Sequence, residues 1–218
     1  MIYKLFTDEE TDNILARLNK NFVDGKKSQK LSNVYNIKEN KETVITPKID
    51  EYIGNIFKNK KAIKKIYAPT KIKNRIYNNY NTNDFYDYHV DSFQSSDSKM
   101  LYNYGFTISL SDDYEGGDFV LQTEAGEIAY NIGKGQIVIF PIIYPHKVTS
   151  ITSGRRQNII GWFESNITYE QSFVLKNLEE IATINLDLLQ SNTEQVLFKE
   201  LLIKTALVQN YLVTKWGF

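Results

Sequence analysis

Apolar residues change their spacing along this chain, and the changes divide it into three stretches. Near the start, Ile14, Leu15, Leu18 and Phe22 recur three or four residues apart. They follow Thr7-Asp8-Glu9-Glu10, where a hydroxyl is followed three residues later by a carboxylate, the spacing of a capping box. The pattern predicts an amphipathic helix over residues 8–22. Residues 24–46 are polar and rich in Lys, Asn and Ser, with Asp24-Gly25 as a turn signal, which predicts a long surface loop with at most one short strand. Helical spacing returns over 48–66 through Ile49, Ile53, Ile56, Phe57, Ile63 and Ile66. The lysines at 58, 60, 61, 64 and 65 crowd the end of this stretch, where they suit the negative end of a helix dipole better than a binding patch.

From Lys71 to Phe163 the period shortens. β-Favouring runs at Ile72–Tyr80, Tyr102–Leu110, Asp118–Gln122, Glu127–Asn131, Gln136–Phe140, Lys147–Ile151 and Gln157–Phe163 alternate with glycine-bearing breakers such as Glu115-Gly116-Gly117 and Gly133-Lys134-Gly135. Short strands so closely spaced predict an antiparallel barrel or a two-sheet sandwich. Residues 170–218 contain no proline and no glycine before Gly217, and their leucines return to helical spacing. Two or three helices with a break near Ser191-Asn192 are expected there.

Composition adds exclusions. A chain of 218 residues supports one well-buried domain with a helical appendage. The 26 basic and 26 acidic residues cancel, so no overall field draws nucleic acid or an anionic membrane. Cysteine is absent, which removes disulfides and thiolate metal sites and suits a reducing compartment. Neither a signal peptide's apolar core nor a run of membrane-spanning length is present, so a cytoplasmic protein is expected. Abundant Asn, Lys, Ile and Tyr hint at an AT-rich genome, bacterial or viral.

The chain has two histidines, and their positions carry its chemistry. In extended backbone, residues i and i+2 share a face, so His89 and Asp91 can converge on one cation while Val90 turns away. His146, in a later strand, is the remaining imidazole. Two imidazoles and a carboxylate on one face of an octahedron are the ligand set of mononuclear non-haem iron. Each residue alone is more simply an ordinary polar residue; the joint pattern favours the metal. Arg156 begins the apolar strand that contains Ile159–Phe163, and a buried guanidinium there suits the distal carboxylate of a chelating dicarboxylate. Arg155 reads as a solvent-facing turn residue. Tyr80 either adds a hydroxyl to the same dicarboxylate or packs the barrel, and the sequence favours neither.

The runs Tyr80, His89-Val90-Asp91, Asp113-Tyr114-Glu115-Gly116-Gly117-Asp118-Phe119, Gly135-Gln136-Ile137-Val138-Ile139-Phe140-Pro141, His146-Lys147-Val148 and Gly154-Arg155-Arg156 resemble the Fe(II)/2-oxoglutarate dioxygenases of the prolyl 4-hydroxylase-like group. The likeness is greatest to the bacterial and phage PKHD-type hydroxylases and covers most of the chain, from Phe22-Val23-Asp24-Gly25 to a helical tail ending near Tyr211-Leu212 and Trp216. It implies a mainly β fold, a cupin-like double-stranded β-helix (jelly roll) with flanking helices. The dioxygenase domain would span residues 1–170, and residues 171–218 would pack on it or form a homodimer surface. By the same resemblance His89, Asp91 and His146 match the iron ligands, Arg156 the 2-oxoglutarate anchor and Tyr80 a residue lining that pocket. The implied cofactors are Fe(II), 2-oxoglutarate and O2, with ascorbate as an accessory, and the implied products are succinate and CO2. Asp91 favours hydroxylation, because related halogenases lack a carboxylate at this position. Ser92-Phe93 departs from the asparagine that close relatives carry, which bears on the adjoining substrate loop.

The implied substrate is a peptidyl proline or another protein side chain. A free amino acid or small metabolite is the second reading, and a non-catalytic cupin-like binding module is the third. Nucleobase demethylation lacks a basic stripe. Residues 24–46 and 92–100 are either recognition flaps over the metal or plain solvated connections.

Overall fold

Thr7 starts the first helix as its sequence requires: its side chain accepts from the Glu10 backbone N–H, and the Glu10 carboxylate accepts from the Thr7 N–H. A computed structural model of the chain describes residues 2–28, 36–92, 101–190, 198–201, 203–208 and 210. It comprises two compact units, Met1–Lys60 with Pro69–Ser165, and Lys61–Ala68 with Asn166–Phe218.

The first unit begins with β1 (Ile2–Lys4), α1 (Asp8–Arg17), β2 (Val23–Asp24), a 3-10 turn (Gly25–Ser28), β3 (Lys38–Glu39), β4 (Lys41–Val44) and α2 (Pro47–Asn59). It continues through β5 (Pro69–Tyr80), β6 (Phe85–His89), β7 (Tyr104–Ser109), β8 (Tyr114–Gly116), β9 (Phe119–Thr123) and β10 (Gly126–Tyr130). It closes with β11 (Gln136–Pro141), β12 (His146–Val148), β13 (Ile151–Gly154) and β14 (Arg156–Ser165).

Among the described residues every strand pairing is antiparallel. A seven-stranded sheet has the order β1-β11-β7-β14-β5-β4-β2, and a five-stranded sheet the order β10-β9-β12-β6-β3. Strands β8 and β13 form a separate pair. This is the jelly roll: consecutive strands leave one sheet for the other, so that β5 and β6, or β11 and β12, lie in opposite sheets. Alternation along the large sheet sends Tyr104, Phe106, Ile108, Ile159 and Phe163 to one face and Thr107, Arg156, Asn158 and Trp162 to the other. Phe57 of α2 covers the first face, 5.1 Å from Phe106 and 5.3 Å from Phe163 between ring centroids. Within the sandwich, Phe119, Leu121, Ile132, Val138 and Phe140 form a second apolar cluster.

Several expectations from the sequence change. Helix α1 stops at Arg17 rather than continuing to residue 22, because Leu18 is already extended (φ −68°, ψ 142°). Phe22, expected on its apolar stripe, instead lies 5.2 Å from the ring of Tyr77 on β5. The polar 24–46 segment contributes β2, β3 and β4, so sheet pairing overrides its composition. The single helix over 48–66 divides at Lys60, whose backbone is extended (φ −64°, ψ 112°). The run Lys147–Ile151 likewise divides between β12 and β13, and β1, β6 and β8 are strands outside the expected set.

The second unit consists of α3 (Lys61–Tyr67), α4 (Tyr169–Gln190) and helical residues within 198–210. Ile63, Ile66, Tyr67, Val174, Ile184 and Val208 are buried in it. A Glu180–Lys204 ion pair ties α4 to the later helical residues. The expected break near Ser191-Asn192 lies outside the described residues. No described helix is long and apolar enough to cross a membrane.

Candidate active site

Strands β6 and β12 lie side by side in the small sheet, and their register sets His146 directly opposite His89. Asp91 follows two residues after His89, just beyond the end of β6. The ligand atoms of His89, Asp91 and His146 all lie within 4.8 Å of one another. Nε2 of His89 is 3.8 Å from Asp91 Oδ1, and Nε2 of His146 is 3.5 Å from Asp91 Oδ2.

Both rings are oriented by their own backbone. Nδ1 of His89 lies 2.9 Å from the Asp87 carbonyl, and Nδ1 of His146 lies 3.2 Å from the Tyr144 carbonyl. A carbonyl oxygen only accepts, so each Nδ1 carries the proton and each Nε2 presents its lone pair to the shared point. Burial holds His89 well below the usual histidine range, with His146 and then Lys38 adding in the same direction. It therefore stays neutral, as a metal ligand must. Its ring stacks on Tyr86 (centroids 3.5 Å apart, 8° between planes), and Lys38 Nζ sits 4.7 Å from the centre of the Tyr86 ring. Phe140 and Phe119 pack around His146 at 4.7 and 5.4 Å.

These residues line a cavity of about 600 Å3 between the sheets, into which Arg156, Tyr80 and Asn158 also project. Arg156 is 1% exposed. Its Nη1 donates to Asn158 Oδ1 at 2.8 Å, and its guanidinium carbon lies 5.4 Å from the centre of the Tyr80 ring. Among the described residues no carboxylate pairs with it. A buried guanidinium with only neutral neighbours is strongly disfavoured unless an anion completes it, so this wall of the cavity fits a carboxylate ligand. Two glycines shape its approach. Gly154 has φ +76°, and a Cβ there would fall 2.1 Å from the Asp113 carbonyl oxygen. Gly117 has φ +66°, and a Cβ there would press on Ile151 and on Cδ of Arg156 at 2.9 Å.

Tyr80 is Arg156's direct partner across β5 and β14. Burial raises its phenol well above the usual tyrosine range, so it remains a hydroxyl donor. Its ring also packs with Val148 and Ile151, so it lines the cavity and fills the core together. Arg155 is exposed, as expected.

The model of the 2OG-Fe(II) oxygenase superfamily matches residues 76–164. A PKHD-type hydroxylase of Prochlorococcus marinus strain AS9601 is 33% identical over 175 residues, covering 75% of this chain and 77% of that protein. The chain belongs to the 2OG-Fe(II) oxygenase superfamily. A second PKHD-type hydroxylase, from Prochlorococcus marinus strain MIT 9312, is 30% identical over 186 residues, covering 81% of this chain and 83% of that one. This oxygenase also shares its fold with a Trichoplax adhaerens prolyl hydroxylase solved with a hypoxia-inducible-factor peptide fragment (TM-score 0.61, 15% identity, 76% of this chain and 83% of that one). A Pseudomonas putida prolyl-4-hydroxylase gives a TM-score of 0.56 at 16% identity, covering 76% and 92% of the two chains. The oxygenase accordingly uses Fe(II), 2-oxoglutarate and O2.

Sequence reasoning missed several residues that the oxygenase places around this cavity. Asn158 and Trp162 lie two and six residues beyond Arg156, so even spacing along a strand could have flagged both. Trp162 Nε1 donates to Asp91 Oδ2 at 2.7 Å. Asn158 in turn donates to Thr107 Oγ1 at 2.9 Å. Ser28, Lys38 and Glu42, from the segment expected to be a surface loop, line the cavity through a buried pair in which Lys38 Nζ meets Glu42 Oε2 at 2.9 Å and Ser28 Oγ at 2.8 Å. Ser92 also lines the cavity, whereas Phe93 and the rest of the 93–100 segment lie outside the described residues.

Proposed function

We propose that His89, Asp91 and His146 hold the ferrous ion, that Arg156 anchors the distal carboxylate of 2-oxoglutarate with Tyr80 beside it, and that the enzyme hydroxylates a peptidyl proline or another protein side chain. The observation that carries the site assignment is the buried, carboxylate-free Arg156 in the same cavity as the cluster of ligand atoms. The substrate class is supported by the PKHD-type hydroxylase relatives and by a neighbour of the same fold solved with a peptide.

When bound, the metal and its keto-acid cosubstrate supply the oxidising power that places one oxygen atom of O2 in a C–H bond, with 2-oxoglutarate converted to succinate and CO2. The chain contributes positioning. His89 and His146 turn their Nε2 atoms to the shared point because each Nδ1 faces a backbone carbonyl. Asp91 supplies one negative charge, and Arg156 one positive charge at the other end of the cosubstrate. A dication and a dianion entering together therefore leave the cavity's charge unchanged. Phe119, Phe140 and Val148 keep water from the reacting centre.

The Lys38–Glu42 pair favours a second reading, a free amino acid, because opposite charges fixed in the cavity wall match a zwitterion. Incubation with Fe(II), 2-oxoglutarate and air should form succinate, and host-lysate peptides should gain one oxygen on specific side chains by mass spectrometry. Oxidation confined to small metabolites excludes the protein-side-chain reading, and no succinate with any substrate excludes both.

A further inference from the structure

The three proposed ligands are not supported equally. His89 and His146 sit within paired strands, and each is oriented by a carbonyl two residues upstream. Asp91 lies beyond the last residue of β6, outside any ladder, with the exposed Val90 between it and the strand. Among the described residues, the one neutral donor to its carboxylate is the indole N–H of Trp162, at 2.7 Å from Oδ2. Trp162 is itself well placed to aim that N–H. The pairing of β14 with β5 shifts register between Ile160 and Trp162, an irregularity of the kind that redirects a side chain. Tyr102 and Ile142 form the cluster against which the indole packs, with Tyr102 6.2 Å from it between centroids.

Building on the metal site proposed above, we infer that Trp162 is a positioning residue that keeps Asp91 a monodentate ligand. Each carboxylate oxygen faces one histidine, Oδ1 toward His89 at 3.8 Å and Oδ2 toward His146 at 3.5 Å, and the indole N–H engages Oδ2, leaving Oδ1 the freer oxygen for the metal. This matters for the reaction. Three side-chain ligand atoms would leave the rest of an octahedral ion's positions open to cosubstrate and oxygen. A carboxylate swinging to bidentate binding would take one of them. The large sheet thus acts at both ends of the cavity through one strand, with Arg156 at the cosubstrate and Trp162 behind the aspartate.

Co(II) serves as the probe, because it accepts the same ligands and its d–d absorption reports coordination geometry. The chain contains two tryptophans, so a Trp216→Phe background makes Trp162 the sole indole reporter. In that background Co(II) should bind one to one and quench Trp162 fluorescence. Trp162→Phe should weaken Co(II) binding about 10- to 100-fold, the usual effect of losing a partner behind a metal ligand, and should change the d–d spectrum. Replacing Trp162 by β-(3-benzothienyl)alanine, which keeps the ring's shape and lacks the N–H, should reproduce both changes with an unaltered melting temperature. Binding within twofold of the parent and an unchanged spectrum in both variants would overturn the positioning role. Failure of the Trp216→Phe protein itself to bind Co(II) would instead overturn the metal-site assignment on which this inference rests.

Discussion

In the seven-stranded sheet, Ile108, Ile137, Ile159 and Phe163 have no solvent exposure, whereas β10 at the edge of the five-stranded sheet is exposed along four of its five residues. The large sheet carries helix α2 on one face and the cavity on the other, so its central strands are buried on both sides. The small sheet has one wall to offer, and that wall carries both histidines. The contrast separates stability from chemistry. Interior aliphatic and aromatic packing accumulates where strands are covered twice. The ligand-bearing strands β6 and β12 contribute few such contacts. They hold His89 neutral through burial and its ring against Tyr86.

Four substitutions test that division, beginning with the most severe. His146→Ala should abolish succinate formation, including turnover uncoupled from any primary substrate, while leaving thermal unfolding of the metal-free protein nearly unchanged. Retained turnover would remove His146 from the ligand set. Phe163→Ala, on the covered face of the large sheet, should lower unfolding free energy by about 3–5 kcal/mol in denaturant titrations. Activity per folded molecule should persist. Arg156→Leu crosses the division, because this residue of the large sheet serves the chemistry. It should weaken 2-oxoglutarate binding by about 100-fold, the loss of two charge-assisted hydrogen bonds. Apoprotein stability should not fall, since the change removes a buried charge with no acidic partner. A marked loss of stability instead would mean that Arg156 is structural. Thr7→Ala touches neither sheet and should cost about 1 kcal/mol through the lost cap, with kinetics unaltered.

Local signals in the amino-acid sequence account for much of this architecture. The capping box at Thr7–Glu10 marks the start of α1, and the short β runs mark most of the jelly-roll strands, because both depend only on near neighbours. What escapes a sequence reading depends on partners distant along the chain. Val23–Asp24, Lys38–Glu39 and Lys41–Val44 are too short and too polar to announce strands, and they become strands by pairing with β5 and β6. Phe22 fits a helical stripe as well as it fits a contact with Tyr77, and only the tertiary structure chooses. The proposed ligands are legible because a chain with two histidines leaves few combinations. For Trp162 the even spacing from Arg156 shows only that it faces the cavity; its service to Asp91 depends on the fold. The Lys38–Glu42 pair, although its partners are four residues apart, also escapes, because they belong to different sheets whose pairing the local sequence does not announce.

Strand β14 is hydrogen-bonded on both sides, with Arg156 opposite Tyr80 on β5 and Asn158 opposite Ser109 on β7. A slip by a single residue would invert its faces, sending the guanidinium and Asn158 toward the helix side and bringing Gln157 and Ile159 into the cavity. Alignment of this strand with its two neighbours is therefore a chemical parameter as much as an architectural one. A variant that folds with β14 out of phase would retain the sandwich and lose its grip on the diacid.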